Sequence, residues 1–279
     1  MIKLKSSYGL YVAFLIAACS APKKDTSEAT NAEEEKPVNV VGTDITYAAD
    51  TIEMKGYFSY DANNTTKRPG VLVIHEWWGH NEYSRERADM LAELGYIALA
   101  VDMYGDGKVA EHPEDAGKFA GMVMSNLEVA KSKFESALAT LKNHPNVDKE
   151  KIGAIGYCFG GSVALSMANA GYDLDAVAAF HSGLGLPVMP DSGAVKAKIL
   201  VANGADDPFI PEQQALDFKA AMDKAGADYK YVSYEGAVHA FTSKKADDLG
   251  EKFKLPLAYD AVADSASWEE MKILFATAF

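Results

Sequence analysis

The sequence predicts an α/β fold with a mostly parallel sheet covered by helices on both faces, and three observations carry that prediction. Continuous apolar runs recur at Val71-Leu-Val-Ile74, Tyr96-Ile-Ala-Leu-Ala-Val101, Ile152-Gly-Ala-Ile155, Ala176-Val-Ala-Ala-Phe180 and, after Lys198, Ile199-Leu-Val-Ala202, the composition of strands buried on both faces. Segments of helical pattern separate these runs, and strands alternating with helices imply parallel pairing through crossover connections. The length, 279 residues, suffices for one large domain of this kind or two small ones.

Composition narrows the function classes. The formal net charge of −13 disfavours nucleic acid or an anionic membrane surface as a partner attracted by charge. Only two cysteines are present, Cys19 and Cys158, which excludes a disulfide framework and a Cys-rich zinc pattern.

Taken in order, residues 1–18 carry Lys3 and Lys5 and then the apolar run Leu10 to Ala18. A charged start followed by an apolar stretch too short to span a bilayer reads as a secretory signal. Ile16-Ala-Ala-Cys19 resembles the lipobox of bacterial lipoproteins. That resemblance implies cleavage before Cys19, acylation of its thiol and new amino group, and an exported protein held on a membrane at the periplasmic face or outer membrane. Several acyl chains on one residue anchor stably, at about 0.8 kcal/mol per buried methylene. An uncleaved anchor, or an ordinary signal with a chance Cys, is the alternative. Residues 19–40 are rich in Ala, Thr, Ser, Glu and Lys and almost free of large apolar side chains, so they read as a flexible acidic tether.

The folded body is then expected over residues 41–279. Ile45 to Tyr60 is β-prone and ends in the turn cluster Asp61-Ala-Asn-Asn-Thr-Thr, which suggests antiparallel strands opening the sheet. The strand Val71–Ile74 leads into His75-Glu76-Trp77-Trp78-Gly79, and a helical pattern follows to Leu94, closed by Gly95. The strand ending at Val101 leads into Asp102-Met-Tyr104-Gly, and Pro113 to His144 reads as helix, continuous or interrupted. Further on, a helix is expected from Pro211 to Ala225, a strand from Tyr229 to Tyr234, and a helix from Ala261 to Ala278. Glu76, Cys158, Asp207 and His239 all follow strands at the edge where parallel sheets place their working sites.

Between the strand from Ile152 and its helix stands Gly156-Tyr-Cys158-Phe-Gly160-Gly161. A side chain at Gly156 or Gly160 would collide as the backbone folds back, so the stretch predicts a sharp turn with a reactive group at its apex. The pattern resembles the nucleophile elbow of α/β-hydrolases, with Cys for Ser. A buried structural Cys beside helix-packing glycines is the plain alternative. A thiol nucleophile needs a base, and the base an orienting carboxylate. Cys158, an Asp at 207 or 206, and His239 supply them in the order nucleophile, acid, histidine. Asp207 is preferred from its register against Phe209-Ile-Pro211, with Asp206 as runner-up.

Taken together, Val73-Ile-His-Glu76-Trp-Trp-Gly79, Asp102-Met-Tyr104-Gly, Gly156-Tyr-Cys158-Phe-Gly-Gly161, the Asp207 loop and Gly236-Ala-Val-His239 resemble the dienelactone hydrolase family across residues 41–279. The resemblance implies an eight-stranded α/β-hydrolase fold, a Cys-His-Asp triad, and neither metal nor cofactor. It also implies that Glu76 lies against the thiol and helps generate the thiolate, and that the backbone amides of Trp77 and Phe159 form the oxyanion hole. An exposed loop carboxylate is the plain alternative for Glu76.

The chain departs from the dienelactone-specific pattern at the substrate end. Those enzymes hold a substrate carboxylate with Arg and Tyr after the second buried strand, and with Ser and Arg just after the catalytic His. Here His239 is followed by Ala240, Phe241, Thr242 and Ser243, and Val109 to Met124 offers Lys118 but no Arg or Tyr. Trp77, Trp78, Tyr104, Phe209 and Phe241 could instead line an apolar acyl pocket, or be plain core. The leading expectation is a lipid-tethered hydrolase of small esters or lactones working through an acyl-thioester. The competing expectations are a thioesterase or other acyl-transfer enzyme on the same triad, and a binding lipoprotein whose site is unused.

Overall fold

The computed structural model describes residues 37–279. The expected signal segment, the lipidation site Cys19 and the tether as far as residue 36 lie outside the described residues. Residues 37–40, counted above with the tether, belong to the fold instead. Asn39 N–H donates to Asp61 Oδ1 at 2.9 Å, Ala62 N–H donates to Asn39 O at 2.9 Å, and Val40 already pairs with Asp61. The Asp61 turn captures the chain before the first strand begins.

Eight strands form one sheet in the order β1-β2-β4-β3-β5-β6-β7-β8. The antiparallel opening is β1 (Val40–Ala49) with β2 (Ile52–Asp61), and β2 also pairs antiparallel with β4 (Ile97–Val101). From β4 onward every pairing is parallel, through β3 (Arg68–Ile74), β5 (Val147–Tyr157), β6 (Ala176–Phe180), β7 (Lys198–Gly204) and β8 (Tyr229–Tyr234). The residues of β4 and β6 are all buried, as their unbroken apolar runs require.

Two apolar layers sandwich the sheet. On one face Phe134, Ala137 and Leu141 of α3 (Leu127–Lys142), the apolar residues of α4 (Phe159–Asn169), and Phe218 and Met222 of α5 (Glu212–Ala225) share a core. On the other, Tyr83, Ala88 and Leu91 of α1 (Glu82–Glu93) pack with Met271 and Phe275 of α7 (Ala261–Ala278). The span 113–144 is indeed broken, into α2 (Pro113–Met124) and α3, because Asn126 caps the second helix by accepting from Val129 N–H.

Strand order reverses at β3, which has β4 on one side and β5 on the other. Such a switch point opens a crevice beyond the carboxyl ends of the strands. Glu76 follows β3, Cys158 follows β5, Asp207 follows β7 and His239 follows β8, so the fold brings four sequence-distant groups to one edge.

Candidate active site

The turn after β5 is built by close backbone approach. Cys158 sits at φ 52° and ψ −115°, as the residue preceding α4, a conformation L-residues adopt only where the surroundings enforce it. A Cβ on Gly156 would lie 2.2 Å from Gly160 O. One on Gly160 would lie 2.3 Å from Ile74 O and 2.5 Å from His75 O. The turn can therefore press against the end of β3 only because both positions lack side chains. Cys158 N–H donates to Phe180 O at 2.9 Å, pinning the apex to β6.

His239 and Asp207 form the second part. His239 Nδ1 lies 2.7 Å from Asp207 Oδ2, with both residues buried. Asp206, the runner-up, is exposed, and its backbone N–H donates to Ala237 O at 3.1 Å. Burial alone would lower the His239 pKa. Cys158, the hydrogen bond to Asp207 and the Asp207 carboxylate overcome that and push it up to about 10. Nδ1 is thus committed to Asp207, and Cys158 and His239 line the same cavity.

The third part is the loop after β3, and its peptide planes are set by buried side chains. His75 Nε2 accepts from Met103 N–H at 3.1 Å, so Nδ1 carries the ring proton and donates to Glu76 O at 2.5 Å. Glu76 O and Trp77 N–H belong to one trans peptide and point opposite ways, so His75 orients the Trp77 N–H. Tyr104 Oη donates to Trp77 O at 2.8 Å and fixes the next peptide. Neither Trp77 N–H nor Phe159 N–H has a protein acceptor among the described residues. Phe159 opens α4, where the first amides of any helix are unspent and the helix dipole favours negative charge. His75 was quoted in the motif above without a role. Its signal would have been a polar residue that directly extends a fully apolar strand.

Glu76 is 5 % exposed. Burial pushes its carboxyl up to about 7, with the positive charges of His239 and Arg87 offsetting only part. No hydrogen bond joins Glu76 to Cys158 among the described residues, and Glu76 Oε1 lies 4.0 Å from His181 Nε2.

Cys158, Phe159 and His239 open onto a cavity of about 290 Å³ with apolar walls from Trp77, Ala120, Met124, Phe209, Ile210 and Leu257. Of the expected pocket residues, Trp77 and Phe209 line it, and the Phe209 ring meets His239 edge-on at 5.0 Å. Trp78, Tyr104 and Phe241 do not. Trp78 is buried against Phe253 of α6 (Ala246–Phe253). Phe241 is fully buried beside Ala237 and Ala263, and Tyr104 is used in holding Trp77. All three are aromatics at strand ends that the core consumes. No Lys or Arg lines the cavity, which agrees with the missing carboxylate clamp.

This combination, a parallel sheet with a strained Cys turn ahead of a helix and a His–Asp pair on the following loops, defines an α/β-hydrolase. A family model described as the dienelactone hydrolase family matches residues 54–279. Protein usf of Aquifex pyrophilus is 31% identical over 216 residues, 75% of this chain and 90% of that protein. The solved structure of the dienelactone hydrolase-like promiscuous phosphotriesterase P91, from metagenomic libraries, superposes with a TM-score of 0.80 at 32% identity, covering 86% of this chain and 99% of that one. The structure of m3DLH gives 0.81 at 34% identity, with the same coverage. The chain belongs to the dienelactone hydrolase family and is a hydrolase of that class.

Proposed function

We propose that the chain hydrolyses small uncharged esters or lactones, with Cys158 as nucleophile, His239 as base and acid, and Asp207 as its orienter. The observation that carries this reading is the His239–Asp207 pair at 2.7 Å beside a Cys held on a strained turn. The Cys158 thiolate attacks the carbonyl carbon, and the carbonyl oxygen takes the negative charge between the amides of Trp77 and Phe159. The C–O bond breaks, and the alkoxide leaves with a proton from the His239 imidazolium. Neutral His239 then takes a proton from water, whose hydroxide attacks the thioester and releases the acid and the thiolate. We assign to Glu76 the priming of the thiolate; its burial, and a pKa near neutrality, suit a carboxyl that exchanges a proton at working pH. The apolar, cation-free cavity supports an uncharged acyl group and disfavours dienelactone itself.

Hydrolysis of p-nitrophenyl acetate by the full chain, abolished by Cys158→Ala and by a thiol alkylator, is the expected result. Activity unchanged by that substitution would sink the triad. We further propose that the chain is exported and held on a membrane through acylated Cys19. Radiolabelled palmitate should then enter the wild type and not Cys19→Ser, and equal labelling of both would remove the anchor.

A further inference from the structure

A buried histidine that the reaction above leaves unused stands beside the catalytic pair. His181 follows β6 directly, is fully buried, and holds φ 38°, in the left-handed region that disfavours any side chain. Its Nε2 lies 2.7 Å from Thr242 Oγ1 and 4.0 Å from Glu76 Oε1, while Nδ1 has no partner. Its ring meets His239 edge-on at 5.3 Å. The contacts continue away from the site. Thr242 Oγ1 is 2.6 Å from Tyr83 Oη, and Arg87 Nη2 donates to Thr242 O at 2.6 Å and to Asp264 Oδ1 at 2.7 Å.

An apolar side chain would fill the same space without an unpaired buried ring nitrogen, which costs stability. Sites that keep such costs are sites where the group acts. We propose that His181 is a positioning residue for Glu76: its Nε2–H is shared between Thr242 Oγ1 and the Glu76 carboxyl. This rests on the reading of Glu76 as the priming carboxyl. Nε2 is the only nitrogen facing both acceptors, so the proton it carries serves one or the other. Turned to Thr242 it leaves Glu76 without that donor, and turned to Glu76 it stabilises the carboxylate.

The charged and titratable groups facing this pair are His239, Arg87 from α1, Tyr83 and Tyr157. Burial, with the nearby charges of His239 and Arg87, holds the His181 pKa well below its ordinary value. His181 is therefore a neutral donor. A lysine or arginine in its place would set a second cation against the His239 imidazolium and weaken the thiolate pair.

The test is the pH profile of kcat/KM on p-nitrophenyl acetate, and of Cys158 alkylation by iodoacetamide, for the full chain and four variants. Glu76→Gln should remove the limb near pH 7. His181→Phe should move that limb to higher pH by on the order of one pH unit, because the carboxylate loses a donor. His181→Gln, which keeps an N–H, should restore it, with KM unchanged throughout. Thr242→Val removes the competing acceptor and should move the limb to lower pH, which keeps the test decisive should His181→Phe not fold. If Glu76→Gln removes the limb while folded His181→Phe and Thr242→Val leave it in place, the positioning role is overturned. If Glu76→Gln itself leaves the profile unchanged, the priming role fails and this role with it.

Discussion

Replacing Glu76 by Gln should stabilise the protein, by an amount that grows with pH. The side chain is buried, and burial holds its carboxyl at about 7 against an ordinary 4.5. Below pH 4.5 the carboxyl is protonated in both folded and unfolded chains, and an amide of the same shape changes little. Between 4.5 and 7 the unfolded chain releases this proton while the folded chain keeps it. The folded state then binds more protons, so stability falls as pH rises. Above pH 7 the loss is complete. A separation of about 2.5 in pKa corresponds to about 3 kcal/mol. The same relation gives about 0.4 kcal/mol at pH 4.5 and about 2 kcal/mol at pH 6. Urea unfolding of wild type and Glu76→Gln at pH 4.5, 6 and 8 reads these gaps directly. A gap that does not widen with pH, or a variant less stable than wild type at pH 8, would refute the reasoning. The expected pairing of greater stability with lost turnover is the signature of a carboxyl kept for chemistry at a cost to the fold.

Four further outcomes are expected. Asp207→Asn should lower kcat/KM by roughly 10³- to 10⁴-fold, as loss of an orienting carboxylate does, whereas Asp206→Asn, exposed beside it, should stay within about twofold. Gly160→Ala sets a Cβ 2.3 Å from Ile74 O and 2.5 Å from His75 O, both backbone atoms. It should cost about 3 kcal/mol or more in thermal or urea melts, while Cys158→Ser melts near wild type. Met124→Ala, which widens the acyl cavity, should raise kcat/KM for hexanoate relative to acetate esters by about tenfold. In Cys158→Ala the His239 pKa, pushed up to about 10 partly by Cys158, should drop by more than about one pH unit in an NMR titration.

The layers of the fold were legible because buried parallel strands advertise themselves. Ile97–Val101 and Ala176–Phe180 are apolar at every position and buried at every position. The turn at Cys158 was legible because Gly156 and Gly160 are where a side chain would strike backbone. Other features escaped for physical reasons. Asp206 and Asp207 are chemically equivalent in sequence, and only the loop separates the exposed one from the buried one. The helix α6 went unnoticed although Ala246, Leu249, Gly250 and Phe253 have its spacing, because its first turn is acidic and its flanks rich in lysine. It packs Phe253 on Trp78, and that removes Trp78 from the cavity. His181 directly extends a fully apolar strand, as His75 does, but its meaning depends on Thr242 and Glu76, 61 residues after and 105 before it. Glycines and strand ends locate candidate residues in the sequence, and the long-range contacts that give some of them a role are not written there.

The backbone packing under the cysteine turn has a consequence for how this site can be altered. The Cys158 sulfur, the nucleophile proposed above, hangs from a frame whose tolerances are set by Gly156, Gly160 and the carbonyls of Ile74 and His75, none of which takes part in the proposed bond making. The chemistry is therefore interchangeable while its mounting is not. A serine, a cysteine or an inert alanine can occupy the apex with the same backbone beneath it, whereas one methyl group two residues away would strike backbone atoms and displace the apex. An engineer seeking a new reaction should vary residue 158 and the cavity walls, and leave the glycines alone.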